Sequence, residues 1–328
     1  MSNQCRPTSL SLGGIPLPHL GIDLHRKYPY IPTRGAPLGP LRNSCSPSIS
    51  HRKILTQNDG KIKMTHVLIL GGYGKVAQHL TPLLLKRSWA VTSIIRDPAQ
   101  TDAVKKLGEK ISHAGKHDVL VRSLEEITSD EGAKAVIDEV GADYIVWSAG
   151  AGGKGDPSRT FKIDRDAAIH FIRAASHTPR VTRFLLVSYN SSRRSKPSWW
   201  SDEEWAAAEH INKEILPHYN EAKVAADEAL YSASRETGGR MAGICLRPSW
   251  LTDEPAGGVE LGKTKTSRGS SSRESVARVA DALLAVEGVG NVWLDMLDGE
   301  EDVEEAVKRV VREKVNAAEG EEVYQGRA

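Results

Sequence analysis

Tyr219 and Lys223 stand four residues apart in Tyr219-Asn220-Glu221-Ala222-Lys223, a stretch that reads as helix, so their side chains lie one above the other on a single face. A phenol with an ordinary pKa near 10 is a poor acid or base at neutral pH, but a neighbouring ammonium stabilises the phenolate and draws that pKa toward the working range. Such a pair suits the interconversion of a carbonyl and an alcohol. Ser188, directly behind the apolar run 183–187, adds a hydroxyl that would polarise the carbonyl by a hydrogen bond. Each feature also has an ordinary counterpart. Tyr219 reads equally as a half-buried helical ring beside a solvated Lys223, and Ser188 as the cap of a strand end. The pair gains meaning from the elements that position it.

Those elements begin with His66-Val67-Leu68-Ile69-Leu70, an apolar run expected of a parallel strand buried on both faces. It leads straight into Gly71-Gly72-Tyr73-Gly74-Lys75-Val76-Ala77. Gly72 and Gly74 can take backbone angles closed to other residues and let a phosphate approach the main chain, and Ala77 fills the small third position of the G-x-G-x-x-G/A pattern. The helix that follows, from Val76 to about Arg87, repeats apolar residues at Val76, Leu80, Leu83 and Leu84. Its free N–H groups attract anions, and Pro82 is expected to kink it. Strand, tight turn and helix start make a seat for a dinucleotide pyrophosphate; the plainer alternative is a glycine turn between any strand and helix. A second strand, 90–95, ends in Arg96-Asp97-Pro98. An acid at this place binds the ribose 2′-hydroxyl of NAD, whereas an Arg accommodates the 2′-phosphate of NADP. Asp97 before Pro98 is explained as a helix N-cap. Arg96 is thereby left free, which favours NADP, with NAD as the alternative.

From Met64 onward strand and helix alternate: helix 99–110, strand 119–121, helix 130–140, strand 143–147, helix 163–175, then strands 183–187, 242–246 and 291–294, and helices 275–285 and 303–315. Alternation of this kind predicts an α/β fold, a doubly wound parallel sheet of Rossmann type with right-handed crossovers, in a single domain over 64–328. Ligands bind along the carboxyl ends of such strands. Residues 191–216 form a Trp-rich insert with Trp199, Trp200 and Trp205. It reads either as a lid suited to an apolar or ring-shaped substrate or as packing of the insert onto the sheet or a dimer contact. The stretches 254–258 and 262–272 read as loops.

The chain has 328 residues and a formal charge of +2, which conceals an asymmetry: residues 1–63 carry nine Lys or Arg against two Asp. This leader, rich in Ser, Pro, Gly and Arg, is expected to be disordered. It is either a mitochondrial transit peptide or an extension ahead of a start at Met64. The body shows no basic nucleic-acid footprint, and no apolar run approaches the ~20 residues of a membrane span. The partner expected is therefore a small-molecule substrate, with homo-oligomerisation left open. Cys5, Cys45 and Cys245 give no disulfide framework and no zinc site, so no metal is expected, and a reducing compartment is favoured. The chain is accordingly placed in the cytoplasm, or in mitochondria if the leader is a transit peptide.

The glycine turn, Arg96, the Ser148-Ala149-Gly150-Ala151-Gly152-Gly153 loop, Ser188, Tyr219 with Lys223, and Arg247-Pro248-Ser249-Trp250 occur in the order seen in the short-chain dehydrogenase/reductase superfamily. Within it the chain resembles the atypical NAD(P)-binding, epimerase/dehydratase-like branch over about residues 64–315. The resemblance implies that Gly71, Gly72, Gly74, Lys75 and Val76 contact the pyrophosphate and Arg96 the 2′-phosphate, while Ser148, Ala149 and Gly150 line the riboses. It implies Tyr219 as proton donor or acceptor, Lys223 as its pKa modifier and ribose ligand, and Ser188 as the orienting hydroxyl. Two departures are visible. Ser123-Leu124 stands where relatives often carry an acid for the adenine amino group, and Ser188 and Tyr219 are 31 residues apart, a gap filled by the insert. The activity expected is that of an NADP-dependent oxidoreductase, the rivals being an NADP(H)-binding sensor without turnover and an epimerase or isomerase.

Overall fold

Eight strands hydrogen-bond into one sheet in the order β3-β2-β1-β4-β5-β6-β10-β8. The strands are β1 (His66–Leu70), β2 (Ala90–Ile95), β3 (His117–Val121), β4 (Tyr144–Trp147), β5 (Arg183–Val187), β6 (Ala242–Pro248), β7 (Trp250–Thr252), β8 (Gly258–Gly262), β9 (Ser270–Ser272) and β10 (Val292–Gly299). The helices are α1 (Lys75–Lys86), α2 (Thr101–Lys105), α3 (Asp130–Val140), α4 (Pro157–Thr160), α5 (Ala168–Ser176), α6 (Asp202–His210), α7 (Pro217–Glu236), α8 (Arg273–Ala285), α9 (Val303–Arg312) and α10 (Glu322–Gln325). This computed structural model describes residues 64–151 and 156–326, so the leader expected over 1–63 lies outside the described residues.

Seven strands run parallel, as the alternation of the sequence predicts, because each crossover returns through a helix on one face of the sheet. Both faces are therefore covered. Leu68, Leu70, Ile145 and Phe184 point to one side, toward α3, α5 and α7, while Val67, Ile69, Val146 and Leu185 point to the other, toward α1, α8 and α9. This is why β1 reads as a continuous apolar run rather than an alternating one.

Four local expectations are revised. Between the stretches 254–258 and 262–272, read as loops, lies β8, antiparallel to β10, and the second stretch contains β9, which pairs with β7 just ahead of the first. Val259 and Leu261 are buried there while Glu260 points outward, an alternation too brief and too closely bracketed by Gly258 and Gly262 to stand out. The helix expected over 99–110 is only a short helical turn, Pro98–Gln100, followed by α2. It ends at Lys105, with Lys106 as its C-cap. Helix 163–175 starts earlier, with Pro157 at its first turn, Asp156 as its cap, and one wide π-helical stretch, Phe161–Ala167, between α4 and α5. Helix α1 runs unbroken through Pro82.

Candidate active site

The sheet's order reverses between β1 and β4, and there the carboxyl ends of two neighbouring strands open a crevice. The glycine turn fills its floor for steric reasons. Gly71 has φ +89°, and a Cβ on it would lie 2.7 Å from the Ala149 backbone. Gly72 packs so closely against β2 that a Cβ would lie 2.6 Å from Cβ of Ser93. The left-handed backbone thus falls at Gly71 rather than at Gly72 or Gly74, which serve close approach instead. Gly74 caps α1 without a side-chain partner, so the first N–H groups of that helix face the crevice mouth unmatched by any side-chain cap. The turn thus keeps its tight path only with glycine, and the uncapped N–H groups at the start of α1 are the chemistry that a phosphate would meet there.

A cleft of about 270 Å³ continues from the turn, lined by Gly71, Gly74, Arg96, Ser148, Ala149 and Gly150 among the residues expected there. Arg122, Glu125 and Arg159 join them. Gly72, Lys75 and Val76 lie outside its wall. Val76 packs into the core beneath α1, and Lys75 is tied across to Asp253, which also accepts from Arg273 at 2.7 Å.

Tyr219 and Lys223 do share a face of α7. The Lys223 ammonium is buried, 5.5 Å from the Tyr219 ring centre, 3.2 Å from the Val187 carbonyl oxygen and 3.3 Å from Asp164 Oδ1. Asp164 comes from the π-helical stretch, and its other oxygen accepts the Ala151 N–H at 2.8 Å. That single carboxylate therefore joins the glycine-rich loop after β4 to the lysine. Gly150 must be glycine for the same reason, because a Cβ there would meet Asp164 at 2.8 Å. Wide helical turns of this type often mark functional sites. Burial pushes the Tyr219 phenol upward from its ordinary value, and the pull of Lys223 does not overcome it, with Asp164 and Asp227 adding to the rise. Lys223 is shifted up as well: burial alone would lower it, but Tyr219, Asp164 and Asp227 prevail. The expected pull of the ammonium on the phenol is present but is outweighed, first by burial and then by the nearby carboxylates of Asp164 and Asp227.

Ser188 is 6 % exposed, with its backbone N–H on the Leu246 carbonyl at 2.8 Å. Its hydroxyl lies 3.5 Å from that of Ser192, which donates to Asp227 Oδ2 at 2.7 Å. Burial raises the Asp227 carboxyl, against the opposing effects of Arg247 and the two serine hydroxyls. Tyr189 sits beside Tyr219, with ring centres 5.8 Å apart. Its phenol donates to Asn212 Oδ1 at 3.1 Å and burial pushes it up to about 12.

Behind this surface the insert is anchored by buried charge. Arg193 bonds Asp295 and donates to the Ala317 carbonyl at 2.7 Å. Arg247 lies 3.1 Å from the other oxygen of Asp295, an ion pair without an aligned hydrogen bond, and stacks 4.2 Å from Trp293. Trp199 and Trp200 lie over Arg193, at 5.5 Å and 5.2 Å. Trp200 is buried and donates to the Thr264 carbonyl. Of the two readings of the insert, these rings favour packing. The sequence did not single out Glu125 and Tyr189, whereas Arg159 and Asp164 fall in the stretch 157–164, read as the wall opposite the glycine loop, and Ala226-Asp227 belongs to the stretch that carries the family resemblance. Asp227 stands one turn beyond Lys223 on the same face of α7.

Among the described residues no group of three or more His, Cys, Asp or Glu is placed to hold a metal ion, and no helix is long and apolar enough to cross a membrane.

A Rossmann-type sheet with a glycine turn at its switch point and a Tyr/Lys pair on its rim defines an atypical short-chain dehydrogenase/reductase. The chain matches the NAD(P)H-binding family over residues 71–287 and belongs to it. It is 30 % identical over 249 residues to UPF0659 protein C216.03 of Schizosaccharomyces pombe, covering 74 % of this chain and 94 % of the relative. It is 28 % identical to YhfK of Bacillus subtilis, an uncharacterised sugar epimerase by name, covering 74 % of this chain and 99 % of the relative. Its fold is shared by a putative NAD-dependent epimerase/dehydratase from Bacillus halodurans (TM-score 0.59, 22 % identity, 75 % of this chain and 99 % of the other). The oxidoreductase ylbE from Lactococcus lactis has the same fold (TM-score 0.58, 21 % identity, 76 % and 97 %).

Proposed function

We propose that this chain is an NADP-dependent oxidoreductase that interconverts a carbonyl and an alcohol on a small-molecule substrate. The observation that carries the reading is the buried Lys223 ammonium beneath Tyr219, held by Asp164 to the same loop that borders the dinucleotide cleft. In this reading Gly71, Gly72, Gly74, Lys75 and Val76 serve the pyrophosphate, Arg96 the 2′-phosphate, and Ser148, Ala149, Gly150 and Lys223 the riboses. A reduced nicotinamide supplies the hydride. Tyr219 Oη gives its proton to the carbonyl oxygen while Ser188 hydrogen-bonds that oxygen, and the phenolate left behind is stabilised by Lys223 until it regains a proton from solvent.

Two measurements test it. Arg96→Ala should weaken NADPH binding about tenfold or more and leave NADH nearly unchanged, since it deletes a charge-assisted contact to phosphate alone; equal losses for both nucleotides would remove Arg96 from that role. The second is the pH profile. The phenol is shifted upward, so at neutral pH it holds its proton and is ready to donate. Reduction should therefore be level from about pH 6 to about pH 9 and decline only as the phenol ionises at higher pH, while oxidation, which needs the phenolate, should climb over the same range. A reduction rate already falling through about pH 7 to 8 would exclude Tyr219 as the donor.

The epimerase reading has one specific support, the sugar epimerase name of YhfK. An epimerase borrows the hydride and returns it, so it would interconvert substrates with no net consumption of NADPH.

A further inference from the structure

Three arginines converge on the adenosine end of the cleft: Arg96 after β2, Arg122 after β3 and Arg159 in α4. Arg122 is engaged away from the others, 3.1 Å from Glu139 on α3. The remaining pair meets on one atom. Arg96 Nη1 lies 3.4 Å and Arg159 Nε 2.9 Å from the same oxygen, Oε1 of Glu125. Glu125 sits in the short helical turn Leu124–Glu126, whose start is fixed by Ser123 accepting the Glu125 N–H, so its backbone is held while its side chain reaches into the cleft.

Resting on the reading of this cleft as a dinucleotide site, we infer that Glu125 is an internal stand-in for the cofactor's 2′-phosphate. It holds Arg96 and Arg159 converged on one point and is displaced by a phosphate monoester, for which Arg159 is then the second cation.

Three observations carry this. First, both guanidinium groups already converge on one carboxylate oxygen, and an anion at that point offsets the repulsion between their like charges. Second, the Arg159 and Arg96 contacts hold the Glu125 carboxyl below its ordinary range, so it is ionised at neutral pH and competes for the same donors. Third, the contacts are open to water, with side-chain exposures of 57 % for Arg96, 39 % for Arg159 and 32 % for Glu125. Exposed carboxylate pairs are weak, whereas a phosphate monoester brings nearly two charges and three acceptor oxygens to the same arginine fork. Exchange therefore favours the phosphate. A ribose 2′-hydroxyl has no charge with which to displace the carboxylate, so a cofactor lacking the phosphate leaves the triad as it stands.

The arrangement has a consequence for selectivity that Arg96 alone would not produce. Glu125 lowers affinity for a 2′-phosphate by competing for its arginines, and Arg159 raises it. Neither acts on the rest of the nucleotide.

The test uses adenosine 2′,5′-bisphosphate and adenosine 5′-monophosphate as probes, titrated calorimetrically into the full chain. Glu125→Gln should tighten the bisphosphate about fivefold, the scale of an exposed ion pair removed as competitor, with the monophosphate unchanged. Arg159→Ala should weaken the bisphosphate about tenfold and again spare the monophosphate. Glu125→Ala is the second variant, expected to agree in direction with Glu125→Gln, and unfolding curves of all three should match the wild type because the side chains are at the surface. A Glu125 variant that binds the bisphosphate no better than wild type, or an Arg159→Ala that weakens both probes alike, overturns the inference. If Arg96→Ala discriminates between the probes and these variants do not, only this inference falls. If the wild type binds neither probe, the cofactor reading falls and takes this with it.

Discussion

Tyr219→Phe is expected to cut turnover by about two orders of magnitude or more while leaving NADPH affinity nearly intact, the scale of a lost general acid. The substitution is well suited to the question because it deletes one hydroxyl and keeps the ring. The Phe would still pack 5.8 Å from Tyr189 and lie 5.5 Å from the Lys223 ammonium, so the helix face and the buried cation stay as they are. Single-turnover rates and a parallel fluorescence titration separate chemistry from binding. Turnover that survives the change would mean that the phenol is not the proton donor, and the Tyr/Lys assignment would be withdrawn. Lys223 is a poorer target for the same purpose. Asp164 is 1 % exposed and faces it at 3.3 Å, so removing the ammonium leaves a buried carboxylate without its cation, and lost activity would then mix chemistry with distortion.

Asp295→Ala should destabilise the fold by about 3–5 kcal/mol, the cost of breaking a buried ion pair by removing one partner. Asp295 stands opposite Arg247 in the parallel register of β10 and β6, and its two oxygens face Arg193 and Arg247. All three side chains are completely buried. Without the carboxylate, two guanidinium groups would face each other, with Asp227 at 3.6 Å from Arg247 and Glu321 at 3.8 Å from Arg193 as the remaining anions. Urea unfolding of the variant should show a lower midpoint with an unchanged slope, and a melting temperature lower by on the order of 10 °C. Asp295→Asn should fall between, since it keeps the shape and one acceptor while losing the charge. A loss below about 1 kcal/mol for Asp295→Ala would mean that the cluster relaxes or admits water rather than acting as a closed unit.

Much of this architecture was legible along the chain because its signals are local. The apolar run 66–70, the glycines behind it and the small Ala77 lie within a dozen residues and describe one strand, one turn and one helix start. Tyr219 and Lys223 were legible for the same reason, since helical spacing alone puts them together. Asp164 was not, because it reaches Lys223 from a π-helical stretch, and a wide turn shifts which residues share a face. Glu125 and Arg159 were hidden differently: they lie 34 residues apart in two separate crossovers, and only the fold makes them neighbours. The Arg193 cluster joins residues more than a hundred positions apart, beyond any periodicity. Its aromatic part was conspicuous in the sequence, yet Trp199 and Trp200 proved to cover that arginine, a partner no spacing rule would propose.

The same cluster imposes an order on synthesis. Arg193 is made long before Asp295, the Ala317 carbonyl and Glu321, the groups that neutralise and hydrogen-bond it. Until those later segments have left the ribosome, seating the insert would bury a lone guanidinium, at a cost the surrounding apolar contacts would not offset. The glycine turn and the first four parallel strands await no such buried charge, although one of their faces is covered by α8 and α9. The seating of the insert beside Ser188 is thus expected to wait until residues 295–321 have been made.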